Sequence, residues 1–586
     1  MAETIISPGV FTRENDISFI QPAAPVVGAA IIGPTVKGPV EIPTLVSSYN
    51  DYSRTFGVTF NSGTSKQEFI TSLAVKNYFD QGGESVLVTR VVSGSSNWTA
   101  ASNTHISASG TEGYVTGSQS FTLTTIGKGS IYNSELSATS TNLHSDGSLI
   151  SGSEDNLRWE ISNIENSKGT FTLTVRRGDD NSKNKIVLET FNDLSLDPNS
   201  SNYIASVIGD QVLSISANSE QIEYTGDYPN RSKYIRVSAV NQPTLDYLGN
   251  DGVTVGSLND VSYSGSLPIA SSGSFHGAVG DIVNPTTNNY FKDISNGNTQ
   301  GLEAVNYANV LTLLGNKDDF QFNIISAPGL IYEFGEHATQ LDSLISLAET
   351  RGDCIAVVDL VNYGDTVANT VSTAQSLNSS YAASYWPWGQ MISSTGKNVF
   401  TPASTVIPGV YAFTDNSAAP WFAPAGLVRG GITGVIQAEQ KLTRTNRDTL
   451  YNNKVNPIAT FPGSGIAVFG QKTLQTKASA LDRVNVRRLL IELKEFIGNQ
   501  AKTLVFEQNT IKTRNNFLAT VNPFLESVVS RQGLFAFRVV MDDANNTADV
   551  IDRNQLIGQI FIQPAKTAEF IVLDFVVEPT GASFTV

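Results

Sequence analysis

The clearest hydrophobic pattern in the chain lies near its C-terminal end, in the segment DRVNVRRLLIELKEFIGNQ at residues 482–500. Apolar residues recur there at the three- and four-residue spacing of one helix face. They are Val486, Leu489, Leu490, Leu493, Phe496 and Ile497. The pattern predicts an amphipathic helix at 482–497 that buries this stripe, with Arg488 and Glu492 forming an i,i+4 pair on the other side.

The residues that follow predict a C-terminal α+β unit. A second helix is expected at 516–531, with four apolar side chains turned inward. These are Val521, Phe524, Leu525 and Val528. Three later apolar runs, LFAFRVVM, LIGQIFIQP and AEFIVLDFVV, are typical of strands, and the last one runs almost to the C-terminus.

Two other regions have the pattern of an α/β domain. From Val26 the sequence predicts a buried strand, a Gly/Pro turn and a helix, then a helix ending at Gly82-Gly83 and a strand at 85–92. After residue 305, the runs FNIISAPG and CIAVVDL predict buried strands on either side of the helical segment HATQLDSLISLAETRGD.

The remaining segments differ in composition from this core. Residues 93–300 are rich in Ser, Thr, Asn and Gly, and within them Phe171, Leu173 and Val175 share one face of a predicted hairpin. One or two β-rich insertions with solvated surfaces are therefore expected. The first 25 residues alternate apolar and polar positions without a helical period, so they predict an extended arm that needs a partner strand.

Together these patterns predict an α+β multidomain protein with an α/β core, a C-terminal α+β domain, β-rich inserted domains and extended N- and C-terminal arms. The expected ranges are an N-terminal arm at 1–25, the core at 26–92 and 306–440, an outer insertion at 93–305, a C-terminal domain at 441–570 and a C-terminal strand or arm at 571–586.

Composition argues against several classes of protein. The formal net charge of -16 disfavours direct binding of nucleic acid, which depends on basic residues that displace counterions. A single cysteine, Cys354, excludes an internal disulfide framework and a thiolate metal cage. No apolar run has the length of a membrane span, and the N-terminal sequence does not resemble a secretion signal. We therefore expect a protein that is neither inserted in a membrane nor exported by a signal peptide.

Motifs for catalysis or cofactor binding are weak. GSGIAVFGQKT at 463–473 resembles a phosphate loop, but Gln471 separates the glycine from the lysine and the apolar interior favours a strand. The four histidines, at 105, 144, 276 and 337, are far apart, and none has a metal-ligand neighbour at helical spacing. RGD occurs at 177–179 and 351–353, where turns are expected, and DDANNTAD at 542–549 is best explained as a solvated turn. We expect no catalytic residues, no metal and no cofactor.

The one local concentration of basic residues is on the predicted helix at 482–497. Its members are Arg483, Arg487, Arg488 and Lys494. One interpretation is a solvated face balanced by Glu492 and Glu495. The other is a docking face for an acidic protein partner.

Several segments resemble one protein family in the same order along the chain. They are SPGVF, GAAIIGPTVKGPVEIPTLVSSYNDYSRTFG, YFDQGGESVLVTRVV, VLETFNDLSLDPNSSNYIASVIG, APAGLVRGGITGV, LYNNKVNPIATFPGSGIAVFGQKTL, DRVNVRRLLIELKEFIGNQAKTLVFEQNT and PAKTAEFIVLDF. They are similar to segments of the contractile tail sheath proteins of myovirus-type bacteriophages. The stretches 93–160 and 230–300 lie outside this resemblance.

The resemblance implies a structural subunit of a virion, assembled in the host cytoplasm. Such subunits stack as hexameric rings into a helical sheath around the tail tube, and contraction drives the tube through the host envelope for genome ejection. It implies the tail tube, baseplate and tail terminator proteins as partners, with no membrane insertion and no direct contact with nucleic acid.

In that family the arms add strands to the C-terminal sheets of neighbouring subunits, while helices of the conserved domain face the tube. An arm that cannot fold alone suits this exchange of strands. The expected strand-exchange residues are Ile5, Val10, Phe11, Ile17, Phe19, Phe570, Val572, Phe575 and Val577. The basic residues Arg483, Arg487, Arg488 and Lys494 are then expected to face the tube or a neighbouring subunit.

Three alternatives remain at this point. A sheath from a bacterial contractile injection system or tailocin would have the same physical properties. An acidic hydrolase with a β-rich accessory domain is disfavoured by the scattered histidines and the missing motifs. A surface adhesin would suit the Ser/Thr-rich insertion, but it conflicts with the missing export signal.

Overall fold

The computed structural model describes residues 27–62, 65–103, 106–108, 119–134, 152–181, 183–248, 266–282 and 294–570. Its largest element is an eight-stranded sheet, here called the central sheet. Its strands are β1 (Val27–Gly33), β2 (Thr44–Val46), β3 (Val86–Arg90), β4 (Phe322–Ile331), β5 (Ile355–Asp359), β6 (Ala382–Trp386), β7 (Val455–Phe461) and β8 (Gly465–Val468).

The strand order is β2-β3-β1-β4-β5-β6-β7-β8. The six inner strands are parallel, and the edge strands β2 and β8 are antiparallel to their neighbours. Sheets of this kind are covered on both faces, so their strands are apolar on both sides. In β1, Ala29 and Ile31 face one side while Ala30 and Ile32 face the other, and all four are fully buried.

Helices cover both faces of the central sheet. On one face lie Gly335–Arg351, Val367–Gln375, Arg444–Asn452 and Ala308–Leu313, and on the other lie Tyr49–Phe56, Ile70–Asp80 and Ile407–Ser417. Smaller elements complete the core. They are the helix Gly426–Arg429 and the strands Thr59–Ser62, Ser65–Glu68, Gly389–Ile392, Asn398–Thr401 and Val435–Ala438.

The C-terminal end of β5 carries a buried carboxylate. Asp359 is 3% exposed and accepts hydrogen bonds from the backbone N–H of Ser404, at 3.0 Å, and from the Ser404 hydroxyl. Burial raises the pKa of Asp359 to about 7, although both hydrogen bonds favour the charged form.

The insertion forms its own apolar core between two sheets. One sheet has the order Val187–Ser195, Thr170–Arg177, Leu157–Glu165 and Ser271–Ser274, and the other has the order Ile235–Val240, Phe121–Lys128 and Ala100–Ser102. Phe171, Leu173 and Val175 are buried on one face, which confirms the predicted hairpin. The insertion also contains a short helix, Ile204–Ile208, and the hairpin Val212–Ile215 with Ile222–Thr225.

Buried cations attach the insertion to the core. Arg90, at the end of β3, is fully buried and donates to the carbonyls of Gly38 and Lys128, both at 2.9 Å. Lys37 forms a 3.0 Å ion pair with Asp155, and both side chains are at most 10% exposed. Because these groups lose water on burial, they hold the two domains together only while their partners stay in place.

The C-terminal module comprises two long helices, Val484–Lys502 and Ile511–Ser530, the short helix Ala548–Asp552 and a hairpin of Leu534–Val540 with Gln559–Pro564. The second helix begins five residues before its predicted start, at an N-cap where the Thr510 hydroxyl accepts from the N–H of Thr513. Its predicted inward residues Val521, Leu525 and Val528 are buried, and Phe524 stacks on Phe496 at 3.7 Å.

Two predicted ranges differ from the structure. Strands β7 and β8 belong to the central sheet, so the boundary predicted at 441 is too early for that sheet. A strand was predicted at 568–577. Residues 568–570 do not form a strand, and residues 571–577 lie outside the described residues. The N-terminal arm at 1–25 and the C-terminal arm at 571–586 also lie outside them.

Candidate inter-subunit interface

The helix Val484–Lys502, here called the joint helix, lies between two apolar cores. Val484 and Ile491 pack into the core on one face of the central sheet, whereas Leu489 and Leu493 pack into the core of the C-terminal module. The predicted stripe is therefore confirmed. The first turns, however, are buried on every side, which a one-faced pattern does not indicate.

Arg488 is not on the surface. It is 3% exposed, forms an ion pair with Asp415 of the helix Ile407–Ser417, and places its guanidinium carbon 4.6 Å from the centre of the Tyr411 ring. Burial raises the pKa of Asp415, and the nearby Arg488 offsets only part of this increase. The expected orientation of Arg488 toward a tube or a neighbour is wrong, and its ion-pair partner is Asp415 instead of Glu492.

Arg487 is also internal, at 4% exposed. It donates to the Ser380 carbonyl at 3.1 Å, and its guanidinium carbon lies 3.9 Å from the centre of the Tyr381 ring. Its predicted outward role is wrong for the same reason: the helix is covered by the central domain at this level. Lys494 is exposed, and its ammonium group donates to the Tyr381 hydroxyl at 2.9 Å.

Arg483, at the N-cap of the joint helix, is bound within the chain. Its guanidinium donates two hydrogen bonds, of 2.7 and 3.0 Å, to the carboxylate of Glu569. The same carboxylate accepts from the Tyr451 hydroxyl at 2.7 Å and from the Gln471 amide at 2.9 Å. Burial alone would raise the pKa of Glu569, but these hydrogen bonds outweigh it and hold that pKa below its ordinary value.

Sequence reasoning missed this cluster around Glu569. Glu569 lay inside a predicted strand, and Gln471 was recognised only as the residue that breaks a phosphate-loop spacing. The three donors are 86 to 118 residues away from Glu569 along the chain, so no local pattern connects them. We call residues 565–570, which run from the hairpin to this cluster, the strap.

The C-terminal hairpin has one covered face and one open face. Phe537 pairs with Ile562 and Val539 with Ile560, and these four side chains pack toward the helices of the module. Phe535 and Phe561 lie on the other side and are 69% and 56% exposed. Large exposed aromatic side chains on a strand are typical of a contact surface.

The hairpin also has open edges. It is a two-stranded sheet, and no third strand from the described part of the chain pairs with either strand. Each outer edge therefore presents unpaired backbone N–H and C=O groups, which are a template for a strand from another chain. A two-stranded hairpin is marginally stable alone, so an added strand also stabilises it.

A groove of about 980 Å³ lies between this module and the β8 side of the central domain. Its walls are largely apolar and include six aromatic side chains, and its charged lining is mostly basic. The lining includes Trp421, Tyr451, Phe469, Phe535, Phe570, Arg444 and Arg447. Phe570, a predicted strand-exchange residue, is 81% exposed there. The other eight such residues, Ile5, Val10, Phe11, Ile17, Phe19, Val572, Phe575 and Val577, lie outside the described residues.

In the part of the chain that the structure describes, the other candidate motifs have structural roles. Residues 465–468 of the phosphate-loop-like motif form strand β8, as its apolar interior predicted. Arg351 of the second RGD is 4% exposed and donates to the Leu314 and Phe320 carbonyls, so that motif is structural. Within the described residues, no group of three His, Cys, Asp or Glu side chains is arranged to hold a metal, and no helix has the length and apolarity to cross a membrane.

Family models match two adjoining regions of the chain. Residues 300–474 match the phage tail sheath protein central domain, and residues 476–578 match the phage tail sheath C-terminal domain. These regions contain most of the central sheet and the whole C-terminal module. Both models describe domains of a structural protein of phage tails.

Over these regions the chain is similar to the phage tail sheath proteins. It is 42% identical to the tail sheath protein of Vibrio phage KVP40 over 188 residues, which are 32% of this chain and 28% of that protein. It is 33% identical to the tail sheath protein of Enterobacteria phage T4 over 265 residues, which are 41% of this chain and 39% of that protein. For the tail sheath protein of Salmonella phage ViI, identity is 30% over 311 residues, 49% of each chain. The chain thus spans less than half the length of each of these three relatives.

Solved structures give weaker similarities. A sheath tail protein from Listeria innocua aligns with 92% of this chain and 96% of its own, at 10% identity and a TM-score of 0.49. The helical sheath of the anti-feeding prophage in its contracted state aligns with 51% of this chain and 84% of its own, at 22% identity and a TM-score of 0.39.

Proposed function

We propose that this protein is the subunit of a phage contractile tail sheath, which polymerises as stacked hexameric rings around the tail tube. Contraction of the sheath drives the tube through the host envelope for genome ejection. The subunit assembles in the host cytoplasm and becomes part of the virion. Its partners are other copies of itself, the tail tube protein, and the baseplate and tail terminator proteins.

The observation that carries this proposal is the open-edged hairpin of Leu534–Val540 and Gln559–Pro564. In the proposed assembly, the arms at 1–25 and 571–586 leave their own subunit and add strands to the hairpins of neighbours. Their backbones supply the missing hydrogen-bond partners, while Ile5, Val10, Phe11, Ile17 and Phe19 of one arm supply alternate side chains for specificity. A contact that joins different surfaces and does not close on itself gives an open helix, as a cylinder requires.

In this proposal, the energy for contraction comes from the contacts between subunits in the sheath. The extended sheath is metastable, and subunits move to a packing with more buried interface while the exchanged strands keep them connected. No nucleotide is consumed. The identities of 30–42% to three phage proteins support a phage sheath over the sheath of an injection particle or tailocin.

Assembly of the purified protein tests the proposal. The full chain should form long hollow cylinders with six-fold symmetry in electron micrographs. Variants that lack residues 1–25 or 571–586 should keep the circular dichroism spectrum of the full chain but form no cylinders. Full-length protein that stays monomeric at high concentration, or truncated chains that still form cylinders, would contradict the proposal.

A further inference from the structure

We infer that Glu569 is a positioning residue, which fastens the strap to the central domain and so fixes where and in which direction the C-terminal arm leaves its own subunit. The inference rests on the proposed function, because it assigns a role to Glu569 in strand exchange. It concerns the strap at 565–570, from which the C-terminal arm starts. The property implied by the family is different: the arm itself adds a strand to a neighbouring subunit.

Three donors from three different elements converge on this one carboxylate. Tyr451 lies in the last turn of the helix Arg444–Asn452, Gln471 follows strand β8, and Arg483 is the N-cap residue of the joint helix. Gln471 also donates to the Thr567 hydroxyl at 2.6 Å. The strap is thereby held to the central domain at two of its residues, by groups that do not belong to the hairpin.

The other end of the strap is held by the hairpin. The N–H of Ala565 donates to the Gly533 carbonyl at 3.1 Å, immediately after the strand Gln559–Pro564 ends. Between these two attachments the strap crosses the groove and forms part of its wall. Phe570, the residue next to Glu569, is 81% exposed.

Attachment of the strap to the central domain should raise the affinity of a neighbouring subunit for the arm. If the strap detached, its residues would join the arm and extend its reach by about 20 Å. They would also have to be ordered again each time a neighbour bound the arm, which lowers affinity. Attached at Glu569, the arm starts from one place with one direction, so a neighbour binds a partly organised segment.

Glu569→Gln in the full-length protein tests this inference, because it removes the charge and keeps the size of the side chain. The matched control is Arg553→Gln, which breaks the exposed pair with Asp549, where both side chains are at least 65% exposed. Three quantities are measured for each variant: the midpoint of thermal unfolding, amide hydrogen exchange in residues 565–570, and the critical concentration for cylinder formation.

We expect Glu569→Gln to unfold within a few degrees of the unmodified protein. Its strap should exchange at least about tenfold faster, and its critical concentration should rise about tenfold. Arg553→Gln should change none of the three. The double variant Arg483→Glu with Glu569→Arg, which restores an ion pair with the charges exchanged, should recover most of the assembly. A residue that only stabilised the fold would lower the unfolding midpoint and leave assembly of the folded fraction unchanged.

The outcomes separate this inference from the proposed function. If the unmodified protein forms cylinders and Glu569→Gln forms them at the same concentration, the positioning role is wrong and the sheath function stands. Strap exchange that does not change in Glu569→Gln also overturns the role, whether or not the protein assembles. If the unmodified protein forms no cylinders, the proposed function itself fails.

Discussion

Replacing Arg488 with Met tests whether the joint helix fastens the central sheet to the C-terminal module. Arg488 is 3% exposed, and its partner Asp415 keeps 22% of its side chain exposed. Removing one partner of a buried ion pair costs about 3–5 kcal/mol, because the remaining charge is left without compensation. The partial exposure of Asp415 places the expected loss at about 3 kcal/mol, including the lost contact with the Tyr411 ring.

The loss should depend on pH in a defined direction. Without Arg488, the pKa of Asp415 in the folded protein rises further above its value in the unfolded chain. A carboxyl group with a raised folded-state pKa favours folding at low pH and loses this contribution as pH rises through that pKa. The destabilisation by Arg488→Met should therefore be smaller at pH 5 than at pH 8.

Urea unfolding of the dispersed subunit, followed by tryptophan fluorescence, measures this loss, since Trp421 lies in the core of the C-terminal module. The double variant Arg488→Met with Asp415→Leu removes both charges and should recover most of the stability. Arg553→Met, in an exposed pair, should cost less than about 0.5 kcal/mol. If Arg488→Met costs no more than this control at pH 8, the ion pair does not hold the joint.

Three further predictions follow from groups described above. Arg487→Glu should destabilise the folded subunit by about 3 kcal/mol, because it buries a carboxylate against the Ser380 carbonyl. Lys494→Glu should leave the free energy of unfolding unchanged within about 0.5 kcal/mol. Equal effects of the two variants in urea unfolding would refute the assigned burial. Asp359→Asn should gain stability relative to the unmodified protein as pH rises from 5 to 8, by about 2–3 kcal/mol, because the folded-state pKa of Asp359 is raised to about 7. A difference in unfolding free energy that does not vary with pH would contradict this. Phe535→Ser, on the open face of the hairpin, should keep the unfolding midpoint and reduce cylinder formation seen by sedimentation, and normal assembly would exclude this face from the interface.

Local periodicity predicted the elements well where one face is buried and the other is solvated. The helix expected at 482–497 is Val484–Lys502, and the hairpin around Leu173 forms as its alternation indicated. The interior of the phosphate-loop-like motif forms strand β8, as its apolar residues predicted. These features depend on neighbours within a few residues, so the sequence contains them directly.

Long-range contacts account for what the pattern did not predict. Arg488 and Arg487 were expected on the surface because charged side chains usually are. Their partners, Asp415 and Ser380, are 73 and 107 residues away along the chain, and no spacing rule connects them. The boundary at 441 was placed too early for a related reason: the position of a strand within a sheet is set by topology and leaves no trace in the composition of the strand.

The joint helix bears on the mechanics of the proposed sheath. Because its first turns are enclosed by both apolar cores, the central domain cannot swivel against the C-terminal module without exposing Val484, Leu489 and the two buried guanidiniums together. Each subunit then moves as a rigid body, and shortening of the cylinder changes only the contacts between subunits. Agents that rigidify the contacts between subunits should hold the cylinder at full length. Agents that rigidify the interior of one subunit should leave the extent of contraction unaltered.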